Sequence, residues 1–328
     1  MIIDGKLFQE QKIEELKNLI QEKDIKIKNA VIVVGNDPAS EIYVRNKITI
    51  CAKVGIQTSL ISLDENVSEN KLLNIIDDLN NREDINGILV QLPLPKHISE
   101  DKVARAINPN KDIDCFNPYN IGNMVIGNNK IGTDILPCTP MGILMLLEQY
   151  NIDVVGKKVV VVGRSNIVGK PISILLTNKG ATVTVCHSKT KDLIAELKTA
   201  DIAILAIGKA KYFKQEWFKQ DVVIIDVGIN RQEDNKVCGD FDIEKDKYKD
   251  FQGMITPVPN GVGRSTIVAL MYNSLSCYYK QNKEKSKTNK LLELQTNFLK
   301  EQEDNKYRIE QENKCFLALV NYMQKKLS

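Results

Sequence analysis

No stretch of this chain is apolar over anything near the roughly 20 residues that a bilayer crossing requires, which excludes a membrane-spanning helix. The opening MIIDGKLFQEQKIEELKNLI turns acidic at once and lacks the basic-then-apolar order of an export signal. The expected compartment is therefore the cytoplasm. The seven cysteines (51, 115, 138, 186, 238, 277 and 315) are odd in number and include no CxxC pair, so neither a disulfide framework nor a metal site is expected. No internal repeat is visible. Excess charge is missing from the body as well. Residues 281–328 hold 10 Lys/Arg against 7 Asp/Glu and carry the whole net charge of +3, while the preceding 280 residues balance at 35 against 35. A balanced body offers no basic groove to nucleic acid.

What is present is a soluble globular composition, 43% hydrophobic and 27% charged over 328 residues. At roughly 100–200 residues per domain, that length suits two or three domains. Apolar spacing near 3.6 over 7–20 predicts an amphipathic helix. AVIVVG (30–35) reads as a buried strand, 40–54 as a helix stopped by Gly55, and QTSLISL (57–63) as a strand. SENKLLNIIDDLNN (68–81) reads as a helix opened by a capping serine, and INGILVQLPLP (85–95) as a strand ending in a proline loop. Alternating strands and helices predict a parallel sheet with helices on its faces.

A second series follows: helices at 139–150 and 170–180, and strands at 157–163, 181–188, 201–208 and 221–230. The expected fold is α/β in two domains, each a mostly parallel sheet flanked by helices. Residues 1–135 with a returning helix at 264–280 form the first. Residues 136–263 form a Rossmann-type second domain. Residues 281–328 read as a polar linker and an amphipathic helical tail, with apolar side chains at 309, 316, 319, 320, 323 and 327.

GRSNIVGKP (163–171) sits between a strand and a helix, the context a dinucleotide phosphate loop requires. Gly163 and Gly169 suit a tight turn under a pyrophosphate, although an ordinary strand-to-helix turn also uses glycines. NAD-specific folds place an acid about 20 residues further on, to hold the ribose hydroxyls. CHSKT (186–190) contains none, and offers Ser188 and Lys189 instead. With Arg164 in the loop able to fork onto a phosphate, NADP is the expected cofactor. His187 reads as local structure.

In the first half, Ser40, Tyr43 and Lys47 share one helical face, Gln91 ends a buried strand, and Asp114 follows in NKDID. A lysine and a tyrosine facing a cleft suit proton transfer. The same spacing also suits a solvent-facing helix surface.

The segments SEIYVRNK, GILVQLPLP, KDID, PCTPMG, GRSNIVGKP, CHSKT, DVGIN and TPVPNGVG occur in this order. Through them the chain resembles, over about residues 1–280, the bifunctional methylenetetrahydrofolate dehydrogenase/methenyltetrahydrofolate cyclohydrolase family. The resemblance implies two α/β domains around a cleft and, usually, a homodimer. It also implies NADP-dependent oxidation of 5,10-methylenetetrahydrofolate, then hydrolysis to 10-formyltetrahydrofolate, the one-carbon supply to purine biosynthesis. By motif, Lys47 matches the catalytic lysine, Tyr43 the tyrosine that stacks on the folate, and Gln91 the glutamine that bonds the lysine. Asp114 matches the aspartate that holds the pterin. Ser40, Val90 and Leu92 match pocket residues. Pro259, Asn260, Gly261, Val262 and Gly263 match the segment that closes over the substrate. Gly163, Arg164, Ser165, Ser188 and Ile229 match cofactor contacts.

Some positions depart from the family's pattern. Cys115 stands where a glycine is usual, and PNGVGRST stands where PGGVGPMT is usual, which places Asn260, Arg264 and Ser265 in the closing segment. Arg264 is expected at the cleft rim, toward the glutamate tail of folate. The alternatives are a form that keeps one of the two activities, and a folate- or NADP-binding protein with degraded catalysis. An unrelated NADP dehydrogenase would explain the phosphate loop but not YxxxK together with VQLPLP. The tail has no counterpart in the resemblance, and its partner is left open among its own body, a second subunit and another protein.

Overall fold

The chain enters a helix at once. In this computed structural model α1 (Gly5–Glu22) is capped by Asp4, whose Oδ1 accepts from the amides of Lys6 and Leu7 at 2.8 and 3.1 Å. The structure describes residues 1–35, 38–127, 129–232 and 236–284, with the side chains of 38–42 and 245 outside that description. Then come β1 (Lys28–Val34), α2 (Pro38–Lys53), β2 (Gln57–Leu63), α3 (Glu69–Asn81), β3 (Gly87–Val90), α4 (Glu100–Ala106), α5 (Pro118–Ile126) and α6 (Cys138–Gln149). The second half holds β4 (Lys158–Val162), α7 (Gly169–Asn178), β5 (Thr182–Cys186), α8 (Leu193–Lys198), β6 (Ile202–Leu205) and β7 (Val223–Asp226). The antiparallel pair β8 (Asn230–Arg231) and β9 (Val237–Cys238), β10 (Met254–Ile255) and a helix α9 over 262–284 complete it.

Two parallel sheets result, ordered β2-β1-β3 and β10-β7-β6-β4-β5. The first strand of each, β1 and β4, reads as one apolar run because both of its faces are covered. In β1, Val31 and Val33 join one core while Ala30, Ile32 and Val34 join another with Leu72 and Ile76 of α3. In β4, Val159 and Val161 join the first of these cores, and Val160 and Val162 join a third on the far face of the second sheet. The period of two thus divides each valine run between two layers. Side chains of both sheets meet in the shared core, and Met1–Tyr279 form one compact unit.

Each sheet changes direction beside its first strand, β1 or β4. The chain goes from β1 out to β2 and returns to place β3 on the other side. It does the same from β4 to β5 and then β6. In such sheets ligands bind where the strand order reverses, beyond the carboxyl ends of the strands. Those ends carry Gly35 and Gln91 in the first sheet, and Gly163 and Ala206 in the second.

The expected helices and strands appear within a few residues of their predicted bounds, and the returning helix starts two residues earlier, at 262. Helices α4, α5 and α8, the β8/β9 pair and β10 were not anticipated. They are short, and caps at Ser99, Asn117 and Asp192 start the three helices where periodicity over so few residues carries little signal. The expected tail helix, including Phe316, Leu319, Val320, Met323 and Leu327, lies outside the described residues. Among the described residues six cysteines are buried and none forms a disulfide.

Candidate active site

Tyr43 and Lys47 lie one turn apart on α2. The Lys47 side chain is only 5% exposed, which a cation tolerates only with partners. Its Nζ donates to Gln91 Oε1 at 3.2 Å, lies 4.0 Å from Asp114 Oδ2, and sits 4.7 Å from the centre of the Tyr43 ring. Burial, and then the Asp114 charge, push the Tyr43 phenol well above its ordinary range. The ring therefore acts as an apolar surface with a proton it does not release. The alternative of a solvent-facing helix surface fails, because Lys47 points inward.

Gln91 is positioned by the sheet. Its amide continues the β1–β3 ladder onto Ile32 O at 2.9 Å, and its Nε2 donates to Leu92 O at 2.7 Å, which turns Oε1 toward the lysine. Asp114 is positioned by a turn built around Asp112, a residue that no sequence motif marks as part of the site. Asp112 is buried, and its carboxylate accepts from the amides of Cys115 and Asn117 at 2.9 and 2.8 Å and from Asn120 Nδ2 at 3.2 Å. Burial pushes Asp112 up to about 6 against the pull of these donors. Cys115 takes φ +62 in this turn, the left-handed conformation that glycine adopts most freely, and its thiol donates to Ile135 O at 3.3 Å. Cys138, at the start of α6, donates to Ile113 O at 3.3 Å. Burial and then the Asp114 charge raise its thiol well above the ordinary value.

Val90, Leu92 and Asp114 line a pocket of about 610 Å³ together with Asn166, Ile167 and Lys170 from the second half. Tyr43, Lys47 and Gln91 do not line this pocket. Ser40 lies on α2, and its side chain is outside the described residues.

In the second half the strand-to-helix loop is tightly folded. Gly163 takes φ +129, and a Cβ there would meet Ala206 O at 2.3 Å; one at Gly169 would meet Gly163 O at 2.2 Å. The loop thus lies close against the strand ends. The Oγ of Ser165 accepts from the amides of Val168 and Gly169 at 3.2 and 3.3 Å, so this serine shapes the start of α7. Arg164 and Ser188 are exposed. The Gly163 amide donates to Cys186 O at 2.9 Å, which joins the loop to the CHSKT turn. His187 belongs to that turn: its amide donates to Thr190 Oγ1 at 2.9 Å, and its Nδ1 accepts from the Lys189 amide at 3.1 Å. A glycine cradle, an arginine beside it and no acid in CHSKT fit a dinucleotide that carries an extra phosphate.

Two buried acids organise the rest of this rim. Asp240 accepts from the amides of Ile207, Gly208 and Lys209 at 2.8, 3.0 and 2.8 Å, and from Asn230 Nδ2 at 2.9 Å. Asp226 accepts from the amides of Gly228, Asp240 and Phe241 at 3.0, 3.0 and 2.9 Å, and burial pushes it up to about 7. Ile229, 62% exposed, stands between Gly228 and Asn230. A Cβ on Gly263 would lie 3.6 Å from its Cδ1, which sets the expected cofactor contact against the expected closing segment. In that segment Asn260 takes φ +84. Arg264 is half-exposed, and its Nε and Nη2 donate to Asn260 Oδ1 at 3.2 and 3.1 Å.

The profile of the tetrahydrofolate dehydrogenase/cyclohydrolase catalytic domain matches residues 3–114, and that of the family's NAD(P)-binding domain matches 137–282. The chain is 54% identical over 275 residues to the Bifunctional protein FolD of Agathobacter rectalis, covering 83% of this chain and 96% of that one. It is 46% identical over 289 residues to the protein of that name from Acetivibrio thermocellus, covering 87% and 99%. Among solved structures, it is similar to the FolD methylenetetrahydrofolate dehydrogenase/cyclohydrolase of Campylobacter jejuni, at 41% identity and a TM-score of 0.80 over 86% of this chain and 99% of that one. It is also similar to the Trypanosoma brucei enzyme complexed with NADP cofactor and inhibitor, at 32% identity and a TM-score of 0.78 over 86% and 98%.

Proposed function

The chain belongs to the tetrahydrofolate dehydrogenase/cyclohydrolase family, and from that membership we propose a division of labour among its residues. The protein is an NADP-dependent enzyme that oxidises 5,10-methylenetetrahydrofolate to 5,10-methenyltetrahydrofolate and hydrolyses that product to 10-formyltetrahydrofolate. One observation carries the assignment of its catalytic centre: a buried lysine ammonium converges with a glutamine oxygen, a carboxylate and an aromatic ring.

Residues 1–135 with 264–280 form the folate half, and 136–263 the cofactor half. Tyr43 stacks against the folate, Val90 and Leu92 wall it, and Asp114 accepts from the pterin. Ser40 and the segment Pro259, Asn260, Gly261, Val262 and Gly263 complete the substrate site. Gly163, Arg164, Ser165, Ser188 and Ile229 hold the cofactor, with Ser165 acting through the shape of the loop. When bound, NADP supplies the acceptor for the hydride that leaves the one-carbon bridge. That step leaves a resonance-stabilised cation and needs no strong base, so the residues contribute mainly by placing the bridge. In hydrolysis the Lys47 ammonium relays protons, delivering one to the departing ring nitrogen and recovering in its place the one that the attacking water loses. Gln91 Oε1 fixes Nζ between these two positions.

The departures from the family's pattern support retention of both activities. Cys115 and Asn260 adopt the positive φ that glycine would supply, and the buried Ser265 Oγ donates to Val262 O at 2.9 Å. The backbone on which the site depends is thus accommodated. We further propose a cytoplasmic homodimer that feeds purine biosynthesis. Among the described residues no helix is long and apolar enough to cross a membrane. The balanced charge of the body suits a small-molecule substrate rather than nucleic acid. Sedimentation of the purified protein tests the dimer.

Assays of the full-length protein that follow NADPH formation and methenyltetrahydrofolate hydrolysis separately test the main reading. Both activities are expected. One alone would mean a single-activity form, and folate binding without either would mean a binding protein.

A further inference from the structure

Arg264 and Gln9 form a reciprocal pair. The Gln9 side chain, 3% exposed, donates through Nε2 to Arg264 O at 3.1 Å, and its Oε1 accepts from Arg264 Nη1 at 3.4 Å. The other side of the same guanidinium forks onto Asn260 Oδ1 at 3.2 and 3.1 Å. One arginine therefore ties a buried amide of α1 to the left-handed residue of the 259–263 segment. Asparagine is among the few residues with a side chain that adopt such a φ readily, and a fixed side chain narrows it further to one conformation. Helix α1 also supports the segment without side chains. A Cβ on Gly5 would meet Gly261 O at 2.2 Å and Asn260 O at 2.7 Å, so the first turn of α1 is in direct backbone contact with the segment.

We propose that Gln9 and Arg264 are positioning residues that clamp the 259–263 segment in its substrate-closing conformation, making α1 part of the support of the folate site. This rests on the reading that the segment closes over the folate. Arg264 acts here through the fork of its guanidinium, not as a loose positive charge for an acidic ligand. Its three donor nitrogens are engaged at once on Asn260 and Gln9, which a single ammonium on a flexible stem does not reproduce.

Steady-state kinetics on the full-length enzyme separate these roles. Arg264→Ala is expected to raise KM for methylenetetrahydrofolate about five- to tenfold, with kcat and KM for NADP within about twofold. Arg264→Lys should behave like Arg264→Ala. Gln9→Met should raise the same KM, and the double variant Gln9→Met/Arg264→Ala should be no worse than the more affected single, because both break one clamp. A thermal melt beside each variant shows that the fold persists. Unchanged folate KM in Arg264→Ala overturns the proposal. So does wild-type KM in Arg264→Lys, which would make the charge itself the effector. Val262→Ala and Gly261→Ala, where the new Cβ would meet Pro257 O at 2.4 Å, form the control arm. If these leave folate KM unchanged, the assignment of the segment fails. If they raise it while Arg264→Ala does not, only the clamp fails.

Discussion

Lys47 Nζ and Gln91 Oε1 lie 3.2 Å apart, and the glutamine is held from behind by its own bond to Leu92 O at 2.7 Å. Gln91 thus has only its acceptor to offer the lysine. Lys47→Ala removes the one group at this position that exchanges protons. It is expected to abolish cyclohydrolase activity, a loss of 100-fold or more, on the order of a general acid–base contribution. Near-normal conversion of methenyltetrahydrofolate to the formyl product by this variant would remove Lys47 from the mechanism.

Arg164 is expected to supply cofactor choice. At least a tenfold preference for NADP over NAD is expected, about 1.4 kcal/mol. Arg164→Ala should weaken NADP much more than NAD, because only the extra phosphate loses a partner. Equal kcat/KM for the two cofactors in the unsubstituted enzyme would refute the assignment.

Stability should rise on mild acidification. Burial holds Asp226 at about 7 and Asp112 at about 6 in the folded chain, against an ordinary 3.8. A raised carboxyl binds its proton in the folded state first. Its contribution is therefore fully present below about pH 4 and is lost as the pH climbs through 6 and 7. The surface carboxylates Glu69 and Asp201 are held below their usual values by bonds with Lys102 and Lys219, and act in the opposite sense only at lower pH. Melts by circular dichroism from pH 8 to 5.5 should show a rising midpoint, and Asp226→Asn should flatten that slope. A midpoint that falls across this range would contradict the assignment.

Residues beyond 284 should be dispensable for catalysis. All candidate site residues and the positioning residue Arg264 precede 265, and the family match ends at 282. The Agathobacter rectalis relative is covered over 96% of its length by a match of 275 residues. Truncation after 284 should leave both activities within about threefold, when measured on protein shown to be folded. A larger loss in either activity would give the tail a part in the reaction.

The sheets were legible in the sequence because β1 and β4 are valine and isoleucine runs that a parallel, doubly covered strand requires. Lys47 and Gln91 were legible through their motifs, and the geometry then joined them. Asp112 and Asp240 were not, since nothing local marks an acid that will fold into a nest of backbone amides. Asp226 gave a faint signal, as a lone charge at the end of VVIID. The pairing of Arg264 with Gln9 was not legible for a related reason. Its partner Gln9 is 255 positions away in the chain, and only tertiary packing brings the two together.

The start of the chain also completes the far sheet. Ile2 bridges to Ile255 in parallel, the Ile3 amide donates to Ile255 O at 2.8 Å, and Ile3 is fully buried. Asn29 of β1 donates to Ser274 Oγ in α9 at 2.9 Å, also out of contact with water. During synthesis, therefore, the N-terminal half emerges from the ribosome long before the residues that cover it exist. Ile2 and Ile3 stay unpaired until residue 255 has been made. The N-terminal half acquires its final form late, together with the second sheet, and a nascent chain arrested near residue 135 would present an apolar edge for chaperones to bind.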